Sequence, residues 1–219
     1  REAGAQMVAL TEMFITGYQT RDLIMKRAFH ADATAALEQL ALDCANGPAL
    51  AIGGPWWDGA RLYNAYWVME RGKVVARVLK HHLPNDTVFD EVRQFAPADV
   101  GGPYRIGPLD QRAPVAAALR IGAVERPEDA WFDDVTETLA ETGAEIILVP
   151  NGSPYYRNKY DRRVGLMVAR VIETKLPLVY LNLVGGQDDQ VFDGGSFVLN
   201  PGIELAMQMP VFDEAVAHV

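Results

Sequence analysis

The side chains that could do chemistry recur where an apolar run gives way to a turn: Glu12, Lys80, the charged corner Glu125–Asp129, and Ser153. In a layered α/β protein the ends of neighbouring strands gather along one edge, so these four places could share a pocket. The corner is the centre of that arrangement. Leu119-Arg-Ile-Gly-Ala-Val-Glu-Arg-Pro-Glu-Asp-Ala-Trp131 begins as a β-like run and breaks amid Arg120, Glu125, Arg126, Glu128 and Asp129. It returns to apolar packing before the acidic helix start Asp133-Asp134. A nucleophile fits such a corner, yet this one has none.

Each place also has a plainer reading. Glu12 could cap the turn at Thr16-Gly17, and Lys80, flanked by His81 and His82, reads equally as a solvated strand end. Ser153 in Asn-Gly-Ser-Pro is a common turn residue. Cys44 lies on the apolar stripe of a helix and reads as a small core residue. His30, His81, His82 and His218 show no metal-ligand spacing with a cysteine or carboxylate motif, so no metal site is expected.

The chain has 219 residues, 49% of them hydrophobic, enough for one large core, and a single domain is expected. A net charge of −9 without a dense Lys/Arg run argues against nucleic acid or an anionic membrane as partner. One cysteine excludes an internal disulfide framework, and no apolar stretch approaches the roughly 18 residues of a membrane span. A reduced, cytoplasmic setting follows as the expectation. Arg1-Glu-Ala-Gly4 reads as the last turn of a helix whose beginning is missing.

The elements that must position these groups are legible in outline. Gln6–Leu10 reads as a buried strand with Thr11-Glu12 at its end and a turn centred on Gly17. Two helices follow, the second from about Asp32 to Ala45, stopped by Asn46-Gly47-Pro48. Ala49–Gly54 is a strand, and Leu62–Met69 with Val74–Leu79 form a hairpin across Glu70-Arg-Gly-Lys73. His81 to Pro114 is long, polar and rich in Pro and Gly, with room for short strands only. Then come a helix over Asp134–Thr142, a strand over Glu145–Pro150 and a helix over Arg157–Thr174. Leu178–Val184 is a strand, Gly185–Asp189 a loop, and Phe197–Asn200 with Glu204–Met209 a hairpin across Pro201-Gly202. Strands linked by helices in one part and by hairpins in another imply mixed sheets covered by helices.

Several segments together resemble one family. They are Leu10-Thr-Glu-Met-Phe-Ile-Thr-Gly-Tyr18, Lys80-His-His-Leu-Pro-Asn85, Val88-Phe-Asp-Glu91, Glu128-Asp-Ala-Trp131 and Asn151-Gly-Ser-Pro-Tyr155. To these is added Val179-Tyr-Leu-Asn-Leu-Val-Gly-Gly-Gln-Asp-Asp-Gln-Val-Phe-Asp-Gly-Gly-Ser196. The chain resembles the nitrilase (carbon-nitrogen hydrolase) superfamily and, within it, the amide-hydrolysing domain of the glutamine-dependent NAD(+) synthetases. The resemblance covers almost the whole chain, so residues 1–219 are expected to be one carbon-nitrogen hydrolase, or glutamine amidohydrolase, domain. It implies an α/β fold, a four-layer α-β-β-α sandwich whose first strand and helix precede residue 1, with a sheet edge left open. The synthetase domain would follow elsewhere. ATP, Mg and deamido-NAD would belong to that domain, so no cofactor is expected in this one. The partners implied are glutamine, the synthetase domain and further copies of the chain.

The same resemblance assigns roles. Glu12 matches the general base and Lys80 the cation that stabilises the tetrahedral oxyanion. Glu91 and Ser153 match contacts to the α-amino and carboxylate ends of glutamine, with Tyr18 and Trp131 as pocket walls. Pro127 stands where the family has its nucleophilic cysteine, after what reads as one extra residue beyond Gly122, and Asp86-Thr87 replaces a Tyr-Gly pair. Proline carries neither a thiol nor an N–H. The expectation is therefore family membership without activity in the chain as written. The alternatives are a nitrilase-like pseudo-enzyme serving as a binding or oligomerisation scaffold, and an amide hydrolase using Ser153 or Cys44.

Overall fold

The computed structural model describes residues 4–80, 83–85, 90–98, 117–119, 140 and 144–219, with 117–119 given by backbone alone. The corner around Pro127, Trp131, the Asp86-Thr87 pair and, apart from Ala140, the helix expected over Asp134–Thr142 lie outside these residues. The chain divides into two compact units, Arg1–Gly107 and Pro108–Ala217.

In the first unit β1 (Met7–Ala9), β2 (Ala49–Trp57), β3 (Leu62–Glu70) and β4 (Lys73–Leu79) form a sheet in that order. β1 and β2 are parallel, which requires a crossover, and the chain between them supplies a 3-10 helix, Arg21–Met25, and α1, Arg27–Asp43. α1 buries His30, Ala33, Leu37 and Ala41, a helical spacing that gives one continuous stripe. Leu37 and Ala41 pack with Leu50, Ile52, Ala65, Trp67 and Met69 of the sheet. Fully burying a side chain such as Leu37 stabilises by roughly 1.5–3 kcal/mol. The β3–β4 hairpin closes through Arg71 and Gly72, both with positive φ (50° and 77°), the twist that a two-residue hairpin turn favours. A short helix, α2 (Glu91–Gln94), completes the described part of this unit.

In the second unit β5 (Ala117–Leu119), β6 (Ile146–Asn151), β7 (Leu178–Asn182), β10 (Phe197–Leu199) and β11 (Leu205–Gln208) form a sheet ordered β11-β10-β7-β6-β5. β8 (Val184–Gln187) and β9 (Gln190–Asp193) make a separate hairpin. β6 and β7 are parallel and are bridged by α3, Lys159–Thr174. One face of α3 is buried along its length: Lys159 and Arg163 toward its start, Met167, Arg170 and Val171 further on. Met167 and Val171 pack with Ile147, Val149, Leu178, Tyr180, Phe197 and Leu199.

Several expectations are corrected. α1 starts at Arg27 and not near Asp32, because its N-cap, Lys26, makes no side-chain capping bond and left no capping signal to read. β1 is half-buried and lies at an edge of the described sheet, so the strand is not the buried one expected. Leu178–Val184 is not one strand: the chain leaves the sheet at Leu183. The expected loop Gly185–Asp189 is mostly strand, with Asp188 (φ 57°) and Asp189 forming the turn into β9. A Gly-Gly pair reads as loop locally, but Gly185 and Gly186 pair with Phe192 and Val191 across the hairpin. β2 also runs three residues beyond its expected end, through Pro55 to Trp57, where the Trp56 and Tyr63 rings stack at 5.7 Å.

Gly53 is where the fold meets the chemistry. A Cβ there would lie 2.2 Å from the Met13 nitrogen and 2.6 Å from the Glu12 carbonyl carbon, all backbone atoms that no rotamer change can move. Gly53→Ala is expected to destabilise the protein by about 3 kcal/mol in urea denaturation, through overpacking against a rigid neighbour. A loss under ~1 kcal/mol would mean that the Thr11–Met13 segment yields freely.

Candidate active site

Glu12 reaches its place because the chain keeps pairing with β2 past the end of β1. Leu10 N donates to Ala51 O (2.8 Å) and Gly53 N to Thr11 O (3.1 Å). The Tyr66 hydroxyl lies between the carbonyl oxygens of Leu10 and Ala51 and ties the two segments together. Burial pushes that phenol far above its ordinary value, so it remains a donor. At Met13, φ of 47° turns the chain sharply away.

Lys80 follows β4 directly. Its N–H donates to Asn64 O (2.9 Å) on β3, and its carbonyl accepts from Ala98 N (2.9 Å). The ammonium lies 2.8 Å from Glu12 Oε1 and 2.9 Å from Glu91 Oε1, with none of its side chain exposed. Glu91, the first residue of α2, is held by its N–H on Pro84 O (3.1 Å), and the Tyr18 hydroxyl donates to its Oε1. Asn64 Nδ2 donates to Glu12 Oε1 at 2.7 Å. A cleft lined in part by Met13, Tyr18, Asp90 and Phe95 opens beside Glu91.

Two carboxylates share one ammonium in a site closed to water. Burial alone would lower the lysine, but Glu12 and then Glu91 outweigh it and hold Lys80 above its ordinary value, a fixed cation. Burial raises Glu91; Lys80 opposes that rise and the charge of Glu12 adds to it. Glu91 thus takes up a proton more readily than an ordinary carboxyl as pH falls, and among the described residues its buried Oε2 has no hydrogen-bond partner. A carboxylate and an ammonium at 2.8 Å, aligned and desolvated, are the parts for moving a proton at one atom and steadying negative charge at the next.

Ser153 lies in the second unit, in the turn after β6, and that turn is held through its backbone. Arg163 of α3 takes both oxygens of Asp193 at 2.9 and 2.8 Å and donates to Ser153 O at 2.9 Å. The Asn182 side chain accepts from Ser153 N (2.8 Å) and donates to the carbonyls of Ser153 (3.2 Å) and Gly194 (3.1 Å). The network fixes the turn through its backbone, and among the described residues the buried Ser153 hydroxyl has no hydrogen-bond partner.

Of the residues singled out in the sequence, Glu12, Lys80, Glu91 and Tyr18 converge in the first unit. Ser153 stands in its own network, and Pro127 and Trp131 lie outside the described residues. The solvated reading of Lys80 is wrong, since the strand end is covered. Glu12 bonds Asn64 and Lys80, while the turn at Thr16-Gly17 is served by the Thr16 hydroxyl on Gly17 O (3.0 Å). Asn64, Arg163, Asn182 and Asp193 were not picked out. Asn64 had a signal, a polar residue inside the apolar run Leu62–Met69. Arg163 had none, because surface helices carry arginine at every spacing. Among the described residues no cluster of His, Cys, Asp and Glu could hold a metal ion, and no helix is long and apolar enough to cross a membrane.

Lys80→Met tests the electrostatics of the cluster. Stranding buried carboxylates without their cation is expected to cost about 3–5 kcal/mol at pH 7. Glu91, raised by burial, then loses the charge that pulls it down; a raised carboxyl adds stability below its folded value and loses it as pH rises through that value. Part of the loss should therefore return at pH 5 in parallel urea titrations. An equal loss at both pH values would rule out a charge effect.

The sequence pattern of the carbon-nitrogen hydrolase family matches residues 1–219. The glutamine-dependent NAD(+) synthetase of Rhodobacter capsulatus is 56% identical over 219 residues, all of this chain and 38% of that protein. The structure of glutamine-dependent NAD+ synthetase from Acinetobacter baumannii in complex with ADP superposes with a TM-score of 0.80 at 29% identity, over 98% of this chain and 38% of that one. A variant of the amidase from Nesterenkonia sp. AN1, showing covalent addition of the acetamide moiety of fluoroacetamide at its active site cysteine, matches with a TM-score of 0.74 at 25% identity, covering 96% of this chain and 75% of that one. This chain thus spans about 38% of the length of the synthetases it matches first. A match along its whole length, with neighbours that share the nitrilase-type α/β fold, places the chain in the carbon-nitrogen hydrolase family.

Proposed function

We propose that this chain is the glutamine amidohydrolase domain of a glutamine-dependent NAD(+) synthetase, the part that releases ammonia from glutamine for NAD biosynthesis. The observation that carries the reading is the fully buried Glu12–Lys80 pair at 2.8 Å. Glu12 is the base that takes a cysteine thiol proton as sulfur attacks the carboxamide carbon. Lys80 steadies the oxyanion of the tetrahedral intermediate, and Glu12 returns the proton to the departing ammonia. Water then cleaves the thioester to glutamate and regenerates the thiol. Tyr18, Glu91, Trp131 and Ser153 are the substrate contacts in this reading. ATP, Mg and deamido-NAD act at the synthetase domain, which receives the ammonia. Cytoplasmic location and self-association belong to the same proposal.

The chemistry requires a thiol where this chain has Pro127. In this reading the chain as written forms no thioester, and the proline at 127 favours a second reading: a scaffold that keeps the fold and binds glutamine or its own copies without turnover. Cys44 is no substitute, since it caps the end of α1 half-buried beside the core cluster of the first unit.

Incubation of the purified chain with glutamine is expected to release no ammonia, and intact-mass analysis to show no adduct with a glutamine-mimicking electrophile. An adduct on Cys44 would overturn that account. Replacing Glu125–Pro127 by Ile-Cys should restore labelling, at the new thiol. A restored thiol that stays unlabelled while the protein remains folded would sink the amidohydrolase reading.

A further inference from the structure

We propose that Asn64 is a positioning residue for the base, one whose side chain fixes the Glu12 carboxylate and whose main chain fixes Lys80, so that the pair meets in one geometry. The role as base rests on the reading above; the positioning itself rests on the following contacts.

Asn64 lies inside the otherwise apolar run of β3 and is 0% exposed. Its Nδ2 donates to Glu12 Oε1 at 2.7 Å, and the Lys80 ammonium approaches the same oxygen at 2.8 Å. Two donors on one oxygen block rotation of the carboxylate and set the direction of its other oxygen. The Asn64 carbonyl accepts the Lys80 N–H at 2.9 Å, which fixes where along the sheet the lysine leaves the backbone. Across the sheet Asn64 pairs with Pro55, two residues beyond Gly53, the site of closest approach to the Glu12 peptide. One residue therefore sets the placement of both partners.

The second observation concerns cost. Among the described residues Asn64 Oδ1 is buried with no hydrogen-bond partner. An unpaired buried carbonyl oxygen destabilises, so a strand built for stability alone would carry an apolar side chain here. The amide is explained by what its nitrogen does: a hydrogen bond to an ionised carboxylate is about twice as strong as a neutral one.

A double-mutant cycle on the chain as it stands decides the point, with Asn64→Leu, Glu12→Gln and the double variant melted at pH 7. Beside Glu12, Asn64→Leu is expected to lower Tm by about 5 °C. Beside Gln at position 12 the loss should be small. The same loss in both backgrounds would reduce Asn64 to a packing residue and overturn the proposal. Asn64→Ser, polar but too short to reach Glu12, should repeat the pattern if Asn64→Leu does not fold. In the chain carrying the restored cysteine, Asn64→Leu should lower kcat for glutamine at least tenfold with KM within twofold, and an unchanged kcat would overturn the proposal. If the restored chain is silent, the amidohydrolase reading fails, and the melting cycle still decides Asn64.

Discussion

The first unit is arranged around an ammonium that has lost its water. Neighbouring strands lie about 4.8 Å apart, so β1 and β4, separated by two strands, are roughly 14 Å apart. Only long side chains reaching over the sheet can meet across that gap, and Glu12 and Lys80 do so above Asn64 on β3. Each approach needs support from the backbone: Gly53 admits the Glu12 peptide, Tyr66 clamps Leu10, and the Asn64 carbonyl fixes Lys80. The hydrophobic contacts of α1 on β2 and β3 hold these supports at constant spacing.

One cation between two acids is electrostatically unbalanced, and the imbalance gives the site its character. A single buried pair would neutralise itself; a second carboxylate leaves one group that gains or loses a proton with its surroundings. Burial raises Glu91, and the Tyr18 hydroxyl and Lys80 ammonium on its Oε1 only partly compensate. Proximity to Glu12 and Glu91 in turn keeps Lys80 charged despite its burial. The cluster thus combines a permanent positive charge with negative charge that responds to protons.

The second unit solves a similar problem with a different pair. Arg163 and Asp193 join α3 to the end of β9 through a two-pronged contact, and the spare donor of the guanidinium goes to the turn that carries Ser153. Asn182, at the end of β7, holds the same turn from the other side. Breaking such a pair strands a buried charge, so removing either Arg163 or Asp193 is costly to stability. In both units buried polar residues on regular elements bond groups that lie just beyond strand ends, Glu12 and Lys80 in the first and the Ser153 turn in the second.

The order and kind of most elements could be read from the sequence because they follow from local chemistry. Asn46-Gly47-Pro48 cannot continue a helix, Glu70-Arg-Gly-Lys73 suits a tight hairpin, and the apolar runs at 145–150 and 178–182 lie on either side of a helical pattern. The places where that reading failed are those decided by partners distant in the chain. Gly185-Gly186 becomes strand because β9 is there to pair with it, and α1 begins early without a capping side chain, its buried stripe lying against the sheet. The candidate site divides in the same way. Residue types and family-like motifs marked Glu12, Lys80, Glu91, Tyr18 and Ser153, and the sequence alone determined that Pro127 brings no thiol. Only the tertiary structure decided that Lys80 is wholly buried, that Glu91 shares its ammonium with Glu12, that Asn64 bonds the Glu12 carboxylate and that Arg163 bonds the turn carrying Ser153. Burial and the meeting of charges depend on which strands become neighbours, a property of the folded chain that no local stretch carries.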